Sequence, residues 1–366
     1  MKKLTILVGL MMSLALALPG GTEAAALSEV KKLLASDAQA DDGFGVVAIS
    51  GDTLISGAPQ RDGSRVGGAY IFERNQGGLD NWGEMKKLVS SDAQFNDFFG
   101  SSLAVSGDTA IVGSSQGFGG TGFGAGAAYI FERNQGGLDN WGEVKKLVSS
   151  DAQFNGIFGS SLAVSGDTAI VGAGGEDAGG IGGFATGAAY VFERNRGGAN
   201  NWGEVTTLTA SDGQGFDVFG VRVAMGGGTA IVGALEGISG GTGAAYVFER
   251  DQGGLDNWGE SKKLTASDAQ AGDGFGVVAI SGGTLIVGAP GEDAGASNVG
   301  AAYVFETPQE VGGLVVDLDE GPLSAAQPSG GSPGRLAGTV AGVAAAVAAG
   351  SLALGGAAWY ARKRRA

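Results

Sequence analysis

Any chemistry in this chain has to come from carboxylates, hydroxyls and a few cations, because its 38 Asp and Glu and 23 Lys and Arg are accompanied by no His and no Cys. Without histidine, the side chain most used for proton transfer near neutral pH is missing. The usual zinc ligands go with it and with cysteine. A disulfide framework, a thiolate metal site and a cysteine nucleophile are all ruled out, and the redox compartment cannot be read from Cys pairs. Carboxylate chemistry remains. Two acids facing each other about 5 to 9 Å apart would suit hydrolysis of a glycosidic bond. Acid clusters occur at Asp37, Asp41 and Asp42, and at Glu292 with Asp293. The formal net charge of −15 argues against a nucleic-acid partner, whose phosphates are held by Lys and Arg. It favours solubility, cation contact or a basic partner.

The elements that would position such groups are repeated. Phe-Gly occurs at Phe44, Phe99, Phe158, Phe219 and Phe275, at spacings of 55, 59, 61 and 56 residues. The stretch Phe99 to Gly113, FGSSLAVSGDTAIVG, returns unchanged from Phe158 to Gly172. Each copy reads as four segments: FGSSLAVSG or a variant; DTAIVGA after a two-residue Gly-Asp or Gly-Gly turn; GAAYVFER; and NWGEVKKLTASD. The first three are small or apolar at nearly every position, as strands covered on both faces require. The fourth carries the pairs Lys86–Lys87, Lys145–Lys146 and Lys262–Lys263, which suit a solvated outer strand and guard its edge. A gradient from apolar inner to charged outer strand is the pattern of a four-stranded propeller blade. A lone blade has two apolar faces and needs neighbours on both sides.

The fold class expected is therefore all-β, a five-bladed β-propeller of four-stranded blades. Its copies lie near 38–90, 91–149, 150–210, 211–266 and 267–307. The last copy ends at Glu306 with no NWGE segment after it, while VKKLLASD, Val30 to Asp37, is a fourth segment placed before the first copy. Pairing of this N-terminal strand with Tyr303 to Glu306 would complete the fifth blade and close the ring. The alternative is an open solenoid with both ends exposed. The first and fifth copies are one residue shorter (FGVVAISG against FGSSLAVSG), so the middle three should hold a bulge.

Phe-Gly followed by Gly57-Ala58-Pro59 and Gly288-Ala289-Pro290 resembles the FG-GAP repeat of integrin alpha-chain propellers and their bacterial relatives. The resemblance spans residues 27–307. Only two copies keep Gly-Ala-Pro; the others read Gly113-Ser114-Ser115, Gly172-Ala173-Gly174 and Gly233-Ala234-Leu235. Integrin propellers have seven blades, against five copies here. In the family, calcium sits in DxDxDG-type loops between strands one and two. The corresponding turns here, such as SGDT at Ser50 and SGGT at Ser281, are too short to wrap an ion that needs six to eight oxygens. No cofactor or metal is expected.

The two ends place the protein. Residues 1–26 have the basic, apolar and small-residue order of a secretory signal. Residues 308–335 are rich in Pro, Gly and Ser and suit a stalk. Leu336 to Tyr360 is uncharged and about 37 Å long as a helix, enough to cross a hydrocarbon core of about 30 Å. Basic residues 361–366 then belong on the cytoplasmic side, so the reading is a single-pass membrane anchor with the propeller outside. A buried Ala/Gly-rich helix and a sorting tail are the alternatives.

Near-identical strands are scaffold, so function is expected where the copies differ: in the loops between strands two and three, together with the loops from strand four to strand one. The resemblance implies that this is the face on which relatives bind ligands. Its candidate residues are Arg61, Asp62, Arg65, Phe118, Phe123, Glu176, Asp177, Phe184, Glu236, Glu292, Asp293 and Asn298. Arg222 is the one charge within an inner strand and would line the channel or be paired. The partner expected is an extracellular protein or glycan, bound without enzymatic turnover. A propeller glycoside hydrolase and a purely structural envelope protein are the alternatives; the first would need acids on inner strands that carry Val, Ala, Ser and Leu.

Overall fold

The computed structural model describes residues 29–60, 66–115, 124–153, 155–176, 185–235, 241–293 and 298–307. The chain divides at Leu33 and Leu34. In the first unit, residues 29–33 carry no regular structure. The described residues of the second unit are all-β, and no helix among the described residues is long and apolar enough to cross a membrane. The expected signal, stalk, membrane helix and tail lie outside the described residues.

Five antiparallel sheets form the blades of a β-propeller. Blade one comprises β1 (Val46–Ser50), β2 (Thr53–Ala58), β3 (Gly68–Glu73) and β4 (Gly83–Leu88). Blade two comprises β5 (Phe99–Ser106), β6 (Thr109–Ser114), β7 (Ala127–Glu132) and β8 (Gly142–Leu147). Blade three holds β9 (Ser161–Ser165), β10 (Thr168–Ala173), β11 (Ala188–Glu193) and β12 (Gly203–Leu208); blade four holds β13 (Arg222–Gly226), β14 (Thr229–Ala234), β15 (Ala244–Glu249) and β16 (Gly259–Leu264). Blade five has β17 (Val277–Ser281), β18 (Thr284–Ala289) and β19 (Ala301–Glu306). Strand order within every sheet follows the sequence, as successive hairpins dictate. The first turn residue of each inner hairpin is a glycine with φ between 55° and 60°, which lets the short turn follow the twist of its strands. The five inner strands line one channel with apolar side chains, among them Ala48, Leu103, Ala163, Ala224 and Ile280.

Blades stack through two unlike faces. One face of blade one presents Ile55, Ile71 and Leu88 to Phe99, Tyr129, Phe131 and Trp141 of blade two, all of them buried. The same exchange joins blades two and three and three and four, and a lesser one without a tryptophan, with Tyr303 and Phe305 half-buried, joins four and five. Within each blade, the Phe of Phe-Gly meets the Tyr and Phe of the third strand nearly edge-on, as at Phe99 with Tyr129 (5.5 Å) and Phe131 (6.1 Å). Glycine spacing sets how closely the blades approach. A Cβ on Gly57, Gly113, Gly172 or Gly233 would collide with the carbonyl oxygen of Gly100, Gly159, Gly220 or Gly276, the Gly of Phe-Gly in the next blade. The two glycine positions of the repeat thus mate across the joint.

The expected closing strand is corrected. Among the described residues blade five has three strands, and residues 30–37 form none. Ser36 gives its backbone N–H and its hydroxyl to Glu84, each at 2.8 Å, and Asp37 accepts from Tyr70 (2.7 Å) and Lys87 (2.6 Å). The Ser-Asp end of this segment is therefore tied to blade one in the way that Ser91 and Asp92 are tied to blade two. The fifth joint is not made. Gly288 meets nothing nearer than the Val277 Cβ at 3.4 Å, and Ile286 and Val304 are 41% and 60% exposed, where their blade-four counterparts Ile231 and Val247 are 0% and 5%. β19 keeps a free edge among the described residues.

In blade two the extra residue of the middle copies produces a register shift between Phe99 and Ser102. In blades three and four it lies in a turn before the strand, closed by Ser160 N–H to Ile157 O and Val221 N–H to Val218 O, both 3.1 Å. A second bulge recurs between the third and fourth strands of all four complete blades and has no signature in the repeat. Arg222 begins β13 and donates to the Val221 carbonyl at 2.7 Å, while Val223, Ala224 and Met225 line the channel in that blade.

Candidate ligand-binding face

The loop leaving each fourth strand docks on the following blade through one repeated corner. A tyrosine of the third strand donates its hydroxyl to the aspartate of Ser-Asp: Tyr70 to Asp37, Tyr129 to Asp92, Tyr190 to Asp151, Tyr246 to Asp212 and Tyr303 to Asp268, all at 2.6–2.7 Å. In blades one, two and four a lysine of the outer strand completes the corner. Lys87, Lys146 and Lys263 reach Asp37, Asp92 and Asp212 at 2.6, 2.6 and 2.8 Å. The lysine ammonium, then the tyrosine hydroxyl, holds the Asp37 and Asp212 carboxyls below the usual range. Burial first, and then the neighbouring carboxylate, pushes the hydroxyls of Tyr70, Tyr129 and Tyr190 well up.

Beside this corner the loop between the second and third strands meets the loop before the first. In blades one, two, four and five an aspartate of that second loop caps its own turn: Asp42, Asp97, Asp217 and Asp273 accept from the N–H of Gln39, Gln94, Gln214 and Gln270 at 2.5–2.7 Å. Blade three has Gly156 in that place. Glu176 enters from the β10–β11 side to fill it: its carboxylate lies where a side chain on Gly156 would be, 3.4 Å from the Gln153 N–H and 3.5 Å from the Ser149 hydroxyl. Glu176 is 1% exposed, and its Oε2 has no hydrogen-bond partner. Burial pushes its carboxyl up to about 7, and the Asp151 charge adds to the rise.

A raised carboxyl costs stability when it ionises. Below pH 4.5 Glu176 is protonated in folded and unfolded chains alike. Between about 4.5 and 7 the unfolded chain releases the proton first, so stability falls as pH rises, and above 7 the penalty is complete. Glu176→Gln is expected to be more stable than the parent by about 1–2 kcal/mol at pH 8, after allowance for solvent screening, and to show no such gain below pH 4.5. Melting temperatures of the two chains at pH 4 and pH 8 check this.

The expected binding residues are placed unevenly. Glu176 and Glu292 are turned inward, at 1% and 3% exposure, and are corrected from rim positions to packing positions. Glu292 lies 3.5 Å from the Tyr303 hydroxyl, and burial followed by Asp273 raises its carboxyl. Asp293 and Asn298 are exposed and joined by Asn298 N–H to Asp293 Oδ1 at 2.6 Å. Arg61, Asp62, Arg65, Phe118, Phe123, Asp177, Phe184 and Glu236 lie outside the described residues. The Tyr–Asp corner is not among the sequence expectations, which do not pair the repeat tyrosines with these aspartates. Its signal was present as one Tyr and one Ser-Asp at constant phase in every copy.

The family model for the FG-GAP repeat matches the chain five times, at residues 27–72, 82–131, 141–192, 202–248 and 258–305. Comparison with curated proteins finds no match. Among solved structures, the hypothetical selenium-binding protein of Sulfolobus tokodaii is similar at 8% identity with a TM-score of 0.39, over 67% of this chain. The aligned part is 57% of that protein's length.

Proposed function

The chain belongs to the FG-GAP repeat family, and from that premise we propose that it is a membrane-anchored cell-surface propeller that binds an extracellular protein or glycan without turning it over. The observation that carries this reading is the contrast between constant joints and variable loops. The four joints made share one glycine pair and the same apolar strand positions, while the loops after the second strands differ in length and composition from blade to blade. A scaffold built from one repeated joint leaves the rim as the place where copies can diverge. The apolar lining of the channel supports a binding module over a hydrolase, whose paired acids would have to face each other there. The short inner hairpins support a reading without bound calcium.

Anchoring rests on the uncharged stretch Leu336 to Tyr360 and the basic residues that follow. Display of the full chain on cells, with glycan arrays and pull-downs of extracellular proteins as readouts, tests the reading. Replacing residues 61–65 and 293–298 by Gly-Ser linkers, with the buried Gln60 and Glu292 kept, is expected to reduce ligand capture at least tenfold with melting unchanged. Retained capture after both exchanges, or turnover of a captured glycan, would overturn it.

A further inference from the structure

The corner of blade three lacks the cation that the complete corners of the other four-stranded blades contain. In register, Tyr70 pairs with Lys87, Tyr129 with Lys146 and Tyr246 with Lys263, but Tyr190 pairs with Thr207. Everything else at that corner is kept. Tyr190 gives its hydroxyl to Asp151 Oδ1 at 2.6 Å, and Ser150 gives its N–H and hydroxyl to Glu204 at 2.9 and 2.7 Å, as Ser91 does to Glu143. Among the described residues no lysine or arginine pairs with Asp151, and Asp151 is exposed.

A second observation points the same way. The four-stranded blade without the lysine also has a buried carboxylate beside the corner, Glu176, whose Oε2 has no hydrogen-bond partner and whose carboxyl is raised by burial and by the Asp151 charge; Glu292 stands beside the corner of blade five in the same way. In the other corners an ammonium lies 2.6–2.8 Å from the aspartate and 5.2–5.6 Å from the centre of the tyrosine ring. The Tyr190 ring is as buried as those of Tyr70, Tyr129 and Tyr246, so an incoming group would meet the exposed carboxylate of Asp151. Blade five also lacks the lysine, but it lacks the whole outer strand, so its corner does not isolate the difference.

We propose that the Asp151 corner binds a primary ammonium, the terminal amine of a lysine side chain carried by a partner protein. This deepens the reading of the loop face as the binding face and rests on it. The partner's lysine reaches the aspartate equivalent to those that Lys87, Lys146 and Lys263 reach in their own blades, and a chain of net charge −15 would draw in such a basic partner.

The probe is a blocked Gly-Lys-Gly peptide, titrated by NMR into the full-length chain in detergent, beside the same peptide acetylated at the lysine Nζ. Saturable binding of the free-amine peptide and at least tenfold weaker binding of the acetylated one are expected. Asp151→Asn should weaken binding about tenfold. Thr207→Lys should do the same while keeping the acid, because the chain then supplies its own ammonium, and it should raise the melting temperature. Asp92→Asn, at a corner already filled by Lys146, should leave peptide binding unchanged. Equal binding by the parent, Asp151→Asn and Thr207→Lys chains would overturn the proposal. So would equal binding of the acetylated peptide, no binding to the parent, or calcium binding at Asp151 without peptide binding. A chain that captures a ligand through its loops yet ignores the lysine peptide would remove this site and leave the wider binding face standing.

Discussion

Alanine at Gly172 is expected to cost the fold at least about 3 kcal/mol, and alanine at Gly288, the same position of the repeat, to change stability by no more than about 1 kcal/mol. At Gly172 the added methyl would collide with the Gly220 carbonyl and the Ser161 hydroxyl. The carbonyl belongs to backbone that cannot rotate away, and Ser161 already donates to that oxygen at 2.7 Å. Relief would require blades three and four to separate and open their shared core. At Gly288 the nearest atom is 3.4 Å away, an ordinary contact, and losing a glycine from a strand interior gives back a little conformational entropy. Urea unfolding of both variants measures the difference. A large loss at Gly288 would mean that blade five meets a neighbour in solution.

Arg194→Ala is expected to cost about 2–4 kcal/mol, against less than about 1 kcal/mol for Arg74→Ala. Arg194 of blade three is 16% exposed. It pairs with Glu132 of blade two, donates to the Thr109 hydroxyl at 2.7 Å, holds Asp167 at 2.7 Å and stacks 5.0 Å from the Trp202 ring. Its removal would strand Glu132 in a largely buried place with only the Trp202 N–H, at 3.3 Å, left as a donor. Arg133 makes the same set of contacts between blades one and two. Arg74 sits at the joint that is not made. It stacks on Trp82 at 5.0 Å and its ion pairs are with Asp52 and Asp80 of its own blade, at 40% exposure, with no acid of another blade to strand, so screening leaves little to lose. Thermal melts of the two variants, with their salt dependence, decide between these values.

The contrast between made and unmade joints marks where sequence reasoning ended. Hairpins, blade count and strand order were legible because turn residues and apolar runs are local signals that recur in phase. The mating of Gly57 with Gly100 was hidden, since the two glycines belong to different copies and nothing local says that they touch. The closing strand failed for a related reason. Periodicity shows that Val30 to Asp37 is equivalent to a fourth segment, but pairing also requires the last blade to dock on the first. That depends on Ile286 and Val304 finding a surface, which no repeat pattern contains. At the candidate site, Glu176 read as a rim residue because it lies in a variable, Gly-rich loop. It is buried because Gly156, twenty residues earlier, lacks the carboxylate its loop needs. The unpaired corner at Thr207 could have been seen by aligning the lysine pairs, where blade three alone among the four-stranded blades reads Thr-Thr.

Because the same glycine pair and the same apolar positions recur at each joint that is made, a complete unit arrives with a socket on one side and a plug on the other. A gene that duplicated or dropped a whole copy would therefore need no compensating change at the seams, and chains differing by an integral number of blades are the variation this architecture admits most readily. Insertion of half a copy would leave a glycine facing a side chain and a guanidinium facing nothing.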